Sequence, residues 1–233
     1  MNELILAKQC YVSTSLNQFK ERFKNKYNLS DYTNNKEPAI FFGVYNMVDI
    51  EKIKHHNSHR YIIFGGSDVN FNKAINILRK LNNITFLSIS HDIEDRLNNK
   101  KIKNIYIEFS LLDTTIFKPI SKEELGNSIF IYNGYYKNLE HNYGKEYYEK
   151  VMKLLPNYNY IFSNNLNESY ENMPNIYKQC FIILRLTKND GNANTIQEAQ
   201  ALGIPSIHNQ SDYGLKWNTV DDIINYINKY SNF

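Results

Sequence analysis

The sequence predicts an α/β protein built on parallel sheets and divided into two consecutive halves. Three observations lead there. Short apolar runs rich in Ile, Phe and Val alternate with amphipathic stretches of about ten residues, the rhythm of βαβ units. That rhythm breaks once, over residues 113–119, and then restarts, which sets a boundary between residues 118 and 119. Finally, 233 residues suffice for two domains that each bury a core without disulfides or a structural metal.

Taken in order, residues 39–45 read as a strand and 48–56 as a helix. A second strand at 61–64 ends in Gly65-Gly66, and Ala74, Ile75, Leu78 and Leu81 form one helical face over 71–81. Strand 84–89, a short helix at 93–97 and strand 105–109 complete the first half. The second half repeats the pattern: strand 128–132, a helix over 143–155 stopped by Pro156, and strand 158–163. A short helix over 174–180 carries Pro174 in its first turn, where a missing N–H costs nothing. Strand 181–186, a helix over 194–202 ended by Gly203, and strand 204–208 follow. An amphipathic helix over 220–230, capped by Asn218 or Thr219, closes the chain, with Asp221 and Asp222 favouring the positive end of its dipole. Before residue 38 the pattern is weaker, with a strand in 4–12 and a basic helix over 16–27. The expected architecture is two Rossmann-like domains, 1–118 and 119–233.

Composition narrows the function. Hydrophobic residues at 42% and charged residues at 22% are those of an ordinary globular protein and exclude wholesale disorder. No apolar run approaches the roughly 18–20 residues of a membrane span, and the start lacks the basic and apolar regions of a signal peptide. Cys10 and Cys180 suit free buried thiols in a reducing compartment, so the expected location is the cytosol (the host's, if the gene is viral). A net charge of +3 with scattered Lys and Arg speaks against a nucleic-acid binder and favours an anionic small molecule. Asn, Ile, Lys and Tyr are over-used as in AT-rich genomes, which lowers the weight of any single Asn or Tyr, including the cluster Tyr132, Tyr135, Tyr136, Tyr143, Tyr147 and Tyr148. Neither a GxGxxG fingerprint nor a P-loop is present, and no cysteine sits in a nucleophilic setting. His55 and His59 share a helical face but lack a zinc motif and a third ligand, so 55–59 reads as a solvated helix end and no metal site is expected.

The chemistry concentrates in 181–209. A strand feeds a polar loop, 187–193, that enters the N-terminus of a helix. In open parallel sheets ligands bind at the carboxyl ends of strands, beside such helix ends. The amides of Asn194, Thr195 and Ile196 would face a phosphate with the positive end of the helix dipole behind them. Arg185 and Lys188 add charge on the incoming side, although a structural ion pair competes for Arg185. Glu198, one turn in from Asn194, can accept hydrogen bonds from a ribose diol. Taken singly, Asp190-Gly191 is also a good turn and Glu198 also a good solvated helix residue.

This stretch resembles the donor-binding motif of GT-B glycosyltransferases, particularly glycosyltransferase family 4 (group 1). The family's two acids with seven residues between them, followed by Ala and Gly-x-Pro, are matched by Asp190, Glu198, Ala199 and Gly203-Ile204-Pro205. The first acid is Asp here, where the family usually has Glu. The resemblance implies two parallel-sheet domains facing a cleft, with Asp190 near the transferred sugar, Glu198 on the ribose, and the Asn194 and Thr195 amides with Arg185 or Lys188 on the pyrophosphate. Gly191, Asn192 and Ala193 would complete the donor loop. Asn133-Gly134-Tyr135-Tyr136-Lys137 suggests, through Gly134 and Lys137, the family's Gly-Arg…Lys-Gly pair. Asp113…Phe117-Lys118-Pro119 looks like its interdomain segment, and Gly65-Gly66-Ser67-Asp68 like a first-domain loop on the acceptor side. His91-Asp92 would meet an acceptor hydroxyl or cap the next helix.

The implied activity is transfer of a sugar from a nucleotide-diphosphate donor, UDP- or GDP-linked, to a hydroxyl of a glycan or another acceptor. Retention of configuration and independence of metal and of any further cofactor come with the resemblance. Family members are commonly longer than this chain. A non-catalytic module that holds a nucleotide sugar or a partner subunit is the alternative, and an epimerase or hydrolase of related fold a third.

Overall fold

Every strand among the described residues lies in one of two parallel sheets, and each sheet has its own compact unit. In the computed structural model, residues 6–134, 137–187, 190, 192–209 and 212–231 are described, without the side chains of 137–139. The division falls between Leu111 and Leu112. Residues 112–120 accordingly pack with the second unit: Phe117 is buried among Phe130 and Tyr177, and the Asp113 amide donates to Tyr170 Oη at 3.2 Å.

The first unit holds β1 (Gln9–Val12), β2 (Ser30–Asp31), β3 (Ala39–Phe42), β4 (Arg60–Ile63), β5 (Ile84–Ser88) and β6 (Asn104–Tyr106) in the spatial order β2-β1-β3-β4-β5-β6. Four helices connect them: α1 (Lys20–Tyr27), α2 (Met47–Lys54), α3 (Asn72–Leu78) and α4 (His91–Asn99). Ala39–Phe42 and Arg60–Ile63 are buried throughout, because a parallel strand covered on both faces needs an unbroken apolar run. The helix starts are satisfied locally. Asn46 and Asp49 form a reciprocal capping box on α2, and Ser90 Oγ accepts from the Ile93 amide on α4. Ser90 thus does the capping expected of His91-Asp92; Asp92 instead pairs with Arg96 at 2.6 Å.

The second unit holds β7 (Ser128–Ile131), β8 (Asn159–Phe162), β9 (Cys180–Leu184) and β10 (Ser206–Ile207) in the order β10-β9-β7-β8. Its helices are α5 (Lys145–Leu154), α6 (Met173–Lys178), α7 (Asn194–Leu202) and α8 (Val220–Ser231). Alternate residues feed two cores: Ile129, Ile131, Ile182 and Leu184 pack with Val151, Ile223 and Ile227, whereas Phe130 and Ile183 pack with Ala199, Leu202 and Phe117. Asp222 accepts from the Asn218 and Thr219 amides, and Thr219 Oγ1 accepts from Asp222 N, so Thr219 and Asp222 cap α8 together.

Three expected elements change. The basic helix of 16–27 is broken at Leu16, leaving a 3₁₀ turn (Thr14–Phe19) before α1. Residues 107–109 leave the sheet after β6, although Ile107 and Phe109 still fill the first core. Strand 204–208 shrinks to Ser206–Ile207, since the Ile204 amide closes the end of α7 on the Ala199 carbonyl. Cys10 and Cys180 are free and buried, and burial pushes their thiols up to about 11 and about 12.

At Gly126 the β7 entry passes so close to Gln179 that an added Cβ would strike its carbonyl oxygen, which also accepts from the Ser128 amide. Gly126→Ala should therefore destabilise the second unit by about 1–3 kcal/mol, read as a lower midpoint in urea unfolding.

Candidate functional site

In the second unit the chain runs from β7 out to β8 and then returns past β7 to β9, so the switch point lies between β7 and β9. Crevices at the carboxyl ends of strands on either side of a switch point are where open parallel sheets bind ligands. Tyr132-Asn133-Gly134 leaves β7 there, and Arg185 leaves β9.

Arg185 is buried, 9% exposed, and every neighbour answers its charge. Its guanidinium carbon lies 3.8 Å from the centre of the Tyr132 ring, within cation–π range. Nε donates to Asp190 Oδ2 at 2.5 Å, and Nη1 to Thr195 Oγ1 at 3.1 Å. Burial alone would weaken its hold on the proton; Asp190, with Tyr132 and Tyr143, outweighs that and raises its pKa above the ordinary arginine value. The platform beneath is built by Gly134. Its φ of +85° and the approach of Tyr143 Cε2 to within 2.5 Å of an added Cβ require glycine, and Tyr143 then stands edge-on against Tyr132.

Two buried hydrogen bonds lie between Arg185 and Glu198: Arg185 donates to Thr195, and Tyr177 Oη donates to Glu198 Oε2 at 2.8 Å. A cation stands at one end and a carboxylate at the other, and Thr195, Tyr177 and Glu198 are all buried. Burial, followed by Glu198, pushes the Tyr177 hydroxyl well above its usual range. The two acids named by the sequence motif are thus each held by a buried donor, Asp190 by Arg185 and Glu198 by Tyr177.

The helix end expected to face a phosphate is the start of α7. Ala193 precedes α7 and supplies no side-chain cap, which leaves the first amides to other partners. Of the three expected amides, Ile196 N is already bonded to the Ala193 carbonyl, and only Asn194 and Thr195 stand ahead of the helix's own bonding. Ala193 itself is buried, and the Asn192 carbonyl accepts from Gln197 Nε2 at 3.3 Å. Lys188 and Gly191 lie outside the described residues, as do Tyr135, Tyr136 and the Lys137 side chain. Glu198 is not a solvated helix residue: it is 7% exposed.

Sequence reasoning missed Tyr177 and His208 and set Tyr132 aside with the tyrosine cluster. Tyr132 and His208 directly follow strands β7 and β10, a placement that marks candidates in a parallel sheet. Tyr177 carries no such signal, being one more tyrosine in a tyrosine-rich chain.

In the first unit the expected acceptor loop is corrected. Asp68 turns inward, 2% exposed, and accepts from the Val44, Gly65 and Gly66 amides at 2.9, 3.1 and 2.9 Å. Its carboxylate serves the loop's own backbone because a buried loop must satisfy its amides. Gly66 is buried with it, while Ser67 stays exposed. His91 is exposed, 3.1 Å from Glu94 and stacked on Tyr106. Of the 55–59 histidines, His55 is an exposed helix end as expected, but His56 is fully buried against Phe41 and Tyr32, and His59 meets Thr85 at 2.8 Å. Among the described residues no group of three His, Cys, Asp or Glu is placed to hold a metal, and no helix is long and apolar enough to cross a membrane.

The chain matches no protein-family model and no curated protein by sequence. It is similar to solved structures. One is a mutant TarM from S. aureus in complex with fondaparinux, alpha-GlcNAc-glycerol and UDP: 12% identity, TM-score 0.58, covering 84% of this chain and 48% of that one. Another is sucrose-phosphate synthase from Thermosynechococcus elongatus: 12% identity, TM-score 0.58, covering 92% of this chain and 67% of that one. A second TarM structure covers 90% of this chain and 50% of its own at TM-score 0.57 and 10% identity. The chain thus spans about half the length of the TarM chains it matches. What these likenesses establish is the fold: α/β with parallel sheets, as in GT-B glycosyltransferases.

Two measurements check this geometry. Tyr177→Phe keeps the ring against Phe130 but strips a donor from Glu198, and should cost about 1–3 kcal/mol in urea unfolding. For Asp68, burial raises the carboxyl to about 6 against the pull of its amides. Its folded pKa lies above the unfolded value, so its contribution is full below about pH 4 and lost as pH rises through about 6. Between those limits wild-type stability should fall relative to Asp68→Asn, and a pH-independent difference would refute the assignment.

Proposed function

We propose that this chain is a GT-B-type glycosyltransferase related to family 4 (group 1), moving a sugar from a UDP- or GDP-linked donor to a hydroxyl of a glycan or other acceptor. The second unit takes the donor and the first unit the acceptor. One observation carries this: a buried arginine at the β7/β9 switch point that donates to Thr195 at the start of α7, the helix that also carries the buried, Tyr177-bonded Glu198. The UDP held by the structurally similar TarM supports the donor class.

The barrier to such a transfer is dominated by departure of a diphosphate, and preorganised positive charge is what lowers it. Arg185 and the Asn194 and Thr195 amides take that role here, rather than a divalent metal. The Arg185 terminal nitrogen Nη2 is used in neither of its two side-chain bonds and is the donor best placed for a phosphate oxygen. Glu198, oriented by Tyr177, takes the ribose hydroxyls. Asp190 shares Arg185 with the incoming diphosphate and lies on the side of the transferred sugar. Retention of configuration follows from the family reading.

The Asp190–Arg185 pair also favours a second reading, a non-catalytic module that binds the nucleotide sugar, because the charge meant for the leaving group is already balanced. Calorimetry with UDP, GDP, UDP-glucose and GDP-mannose, followed by assays of transfer and hydrolysis, separates the two. Binding with Arg185→Gln weakened about tenfold or more, which is about 1.4 kcal/mol, is expected under both readings. Turnover is expected under the first alone. Absence of nucleotide diphosphate binding by the wild type at millimolar concentration would remove both.

A further inference from the structure

The second unit holds a cavity of about 380 Å³ at the amino edge of its sheet, opposite the edge from which Arg185 leaves β9. All four strands of the unit reach it: Asn127 precedes β7, Tyr158 precedes β8, Phe181 lies at the start of β9, and Pro205 precedes β10. Tyr230, near the end of α8, lines it as well. Phe181 is nearly closed to solvent, whereas Lys122 and Asn127 are exposed, so the aromatic floor lies inside and the polar groups stand at the mouth. Small-molecule sites are clefts of about 300–1,000 Å³, mostly apolar with a few polar groups, and this cavity has both the size and the lining.

The wall says what kind of molecule fits. The Tyr158 and Phe181 rings lie 5.7 Å apart, tilted by 43°, and with Tyr230 they suit a flat apolar body. Lys122 is the charged residue of the lining, and among the described residues no carboxylate lines the cavity, so a cationic ligand finds no partner. The Gly126 amide already donates to the Lys178 carbonyl and the Gly203 amide to the Gln200 carbonyl, so the Lys122 ammonium is the donor that answers an anion. Helices α7 and α8 end at the same wall, and the partial negative charge of those ends turns an anionic group toward Lys122. At the mouth such a group keeps its water, while the apolar body inside loses it, and both are favourable. We infer that this cavity binds a small planar apolar molecule carrying one anionic group, its rings against Tyr158, Phe181 and Tyr230 and its charge beside Lys122. The site stands independently of the sugar-nucleotide reading, because its residues and those around Arg185 occupy opposite edges of the sheet.

Binding is measured by calorimetry with three probes of one shape: 2-naphthoate, its neutral amide, and the cation 2-naphthylmethylammonium. The wild type should bind 2-naphthoate with a Kd of about 1 mM or tighter, and prefer it to the amide about two- to fivefold, with the cation weakest. Lys122→Gln, at an exposed position, should erase that preference and leave the affinity for the amide unchanged. Tyr230→Ala should weaken acid and amide together about threefold or more, and millimolar UDP should displace neither. Equal wild-type affinity for acid and amide, or a preference that survives Lys122→Gln, overturns the inference. Displacement by UDP does so too, since it places the probe at the Arg185 site. Residues 232–233 lie outside the described residues and offer a second occupant, so a chain ending at Ser231 is titrated as well. Binding that appears only after this deletion means that the chain's own end fills the cavity, and binding to neither form means that nothing of this chemistry does; both overturn the inference. If Tyr230→Ala does not fold, Lys122→Gln and the acid–amide comparison decide. A wild type that binds 2-naphthoate but neither UDP nor GDP removes the proposed function and leaves this site standing.

Discussion

A buried guanidinium organises the second unit. Taking Arg185 out of water is costly, and that cost is offset by an aromatic face, a carboxylate and a hydroxyl, each from a different segment. Tyr132 comes from the end of β7, Asp190 from the loop after β9, and Thr195 from the first turn of α7. Holding one charge therefore brings three elements to the carboxyl edge of the sheet. The Arg185 backbone adds a fourth, since its carbonyl accepts from His208 after β10.

The same logic reaches Glu198. A carboxylate on the inner face of α7 could not stay in an apolar core without a donor, and Tyr177 supplies one from the neighbouring α6. Thr195 is met by Arg185 in the same way. These groups are polar and buried, yet each is paired, which is the condition under which such networks add rigidity to a site.

The first unit meets the equivalent demand with negative groups. Asp49 accepts from the hydroxyls of Tyr11 and Ser13 and from the Tyr45 and Asn46 amides, tying the end of β1 to the loop after β3. Asp68 does the same for the loop after β4. These carboxylates hold backbone in place and are consumed by it. The contrast explains why an acidic loop motif in the first unit and an acid pair in the second, similar to the eye in sequence, come to serve different ends.

Much of the fold was legible because it depends on local patterning. The apolar run of β9, the span of α7 with its Gly203 stop, and the alternation of strand and helix follow from side-chain period and backbone preference. The spacing of Asp190 and Glu198 likewise directed attention to the loop after β9 and the start of α7, where both side chains meet buried donors. What sequence could not decide were relations between residues far apart in the chain. That His56 is buried, that Asp68 faces amides, that Tyr177 supports Glu198 and that His208 lies beside Arg185 each depend on which segments the sheets bring together. Periodicity assigns a residue to an element; only the packed structure determines its neighbours, and a charge takes its meaning from them.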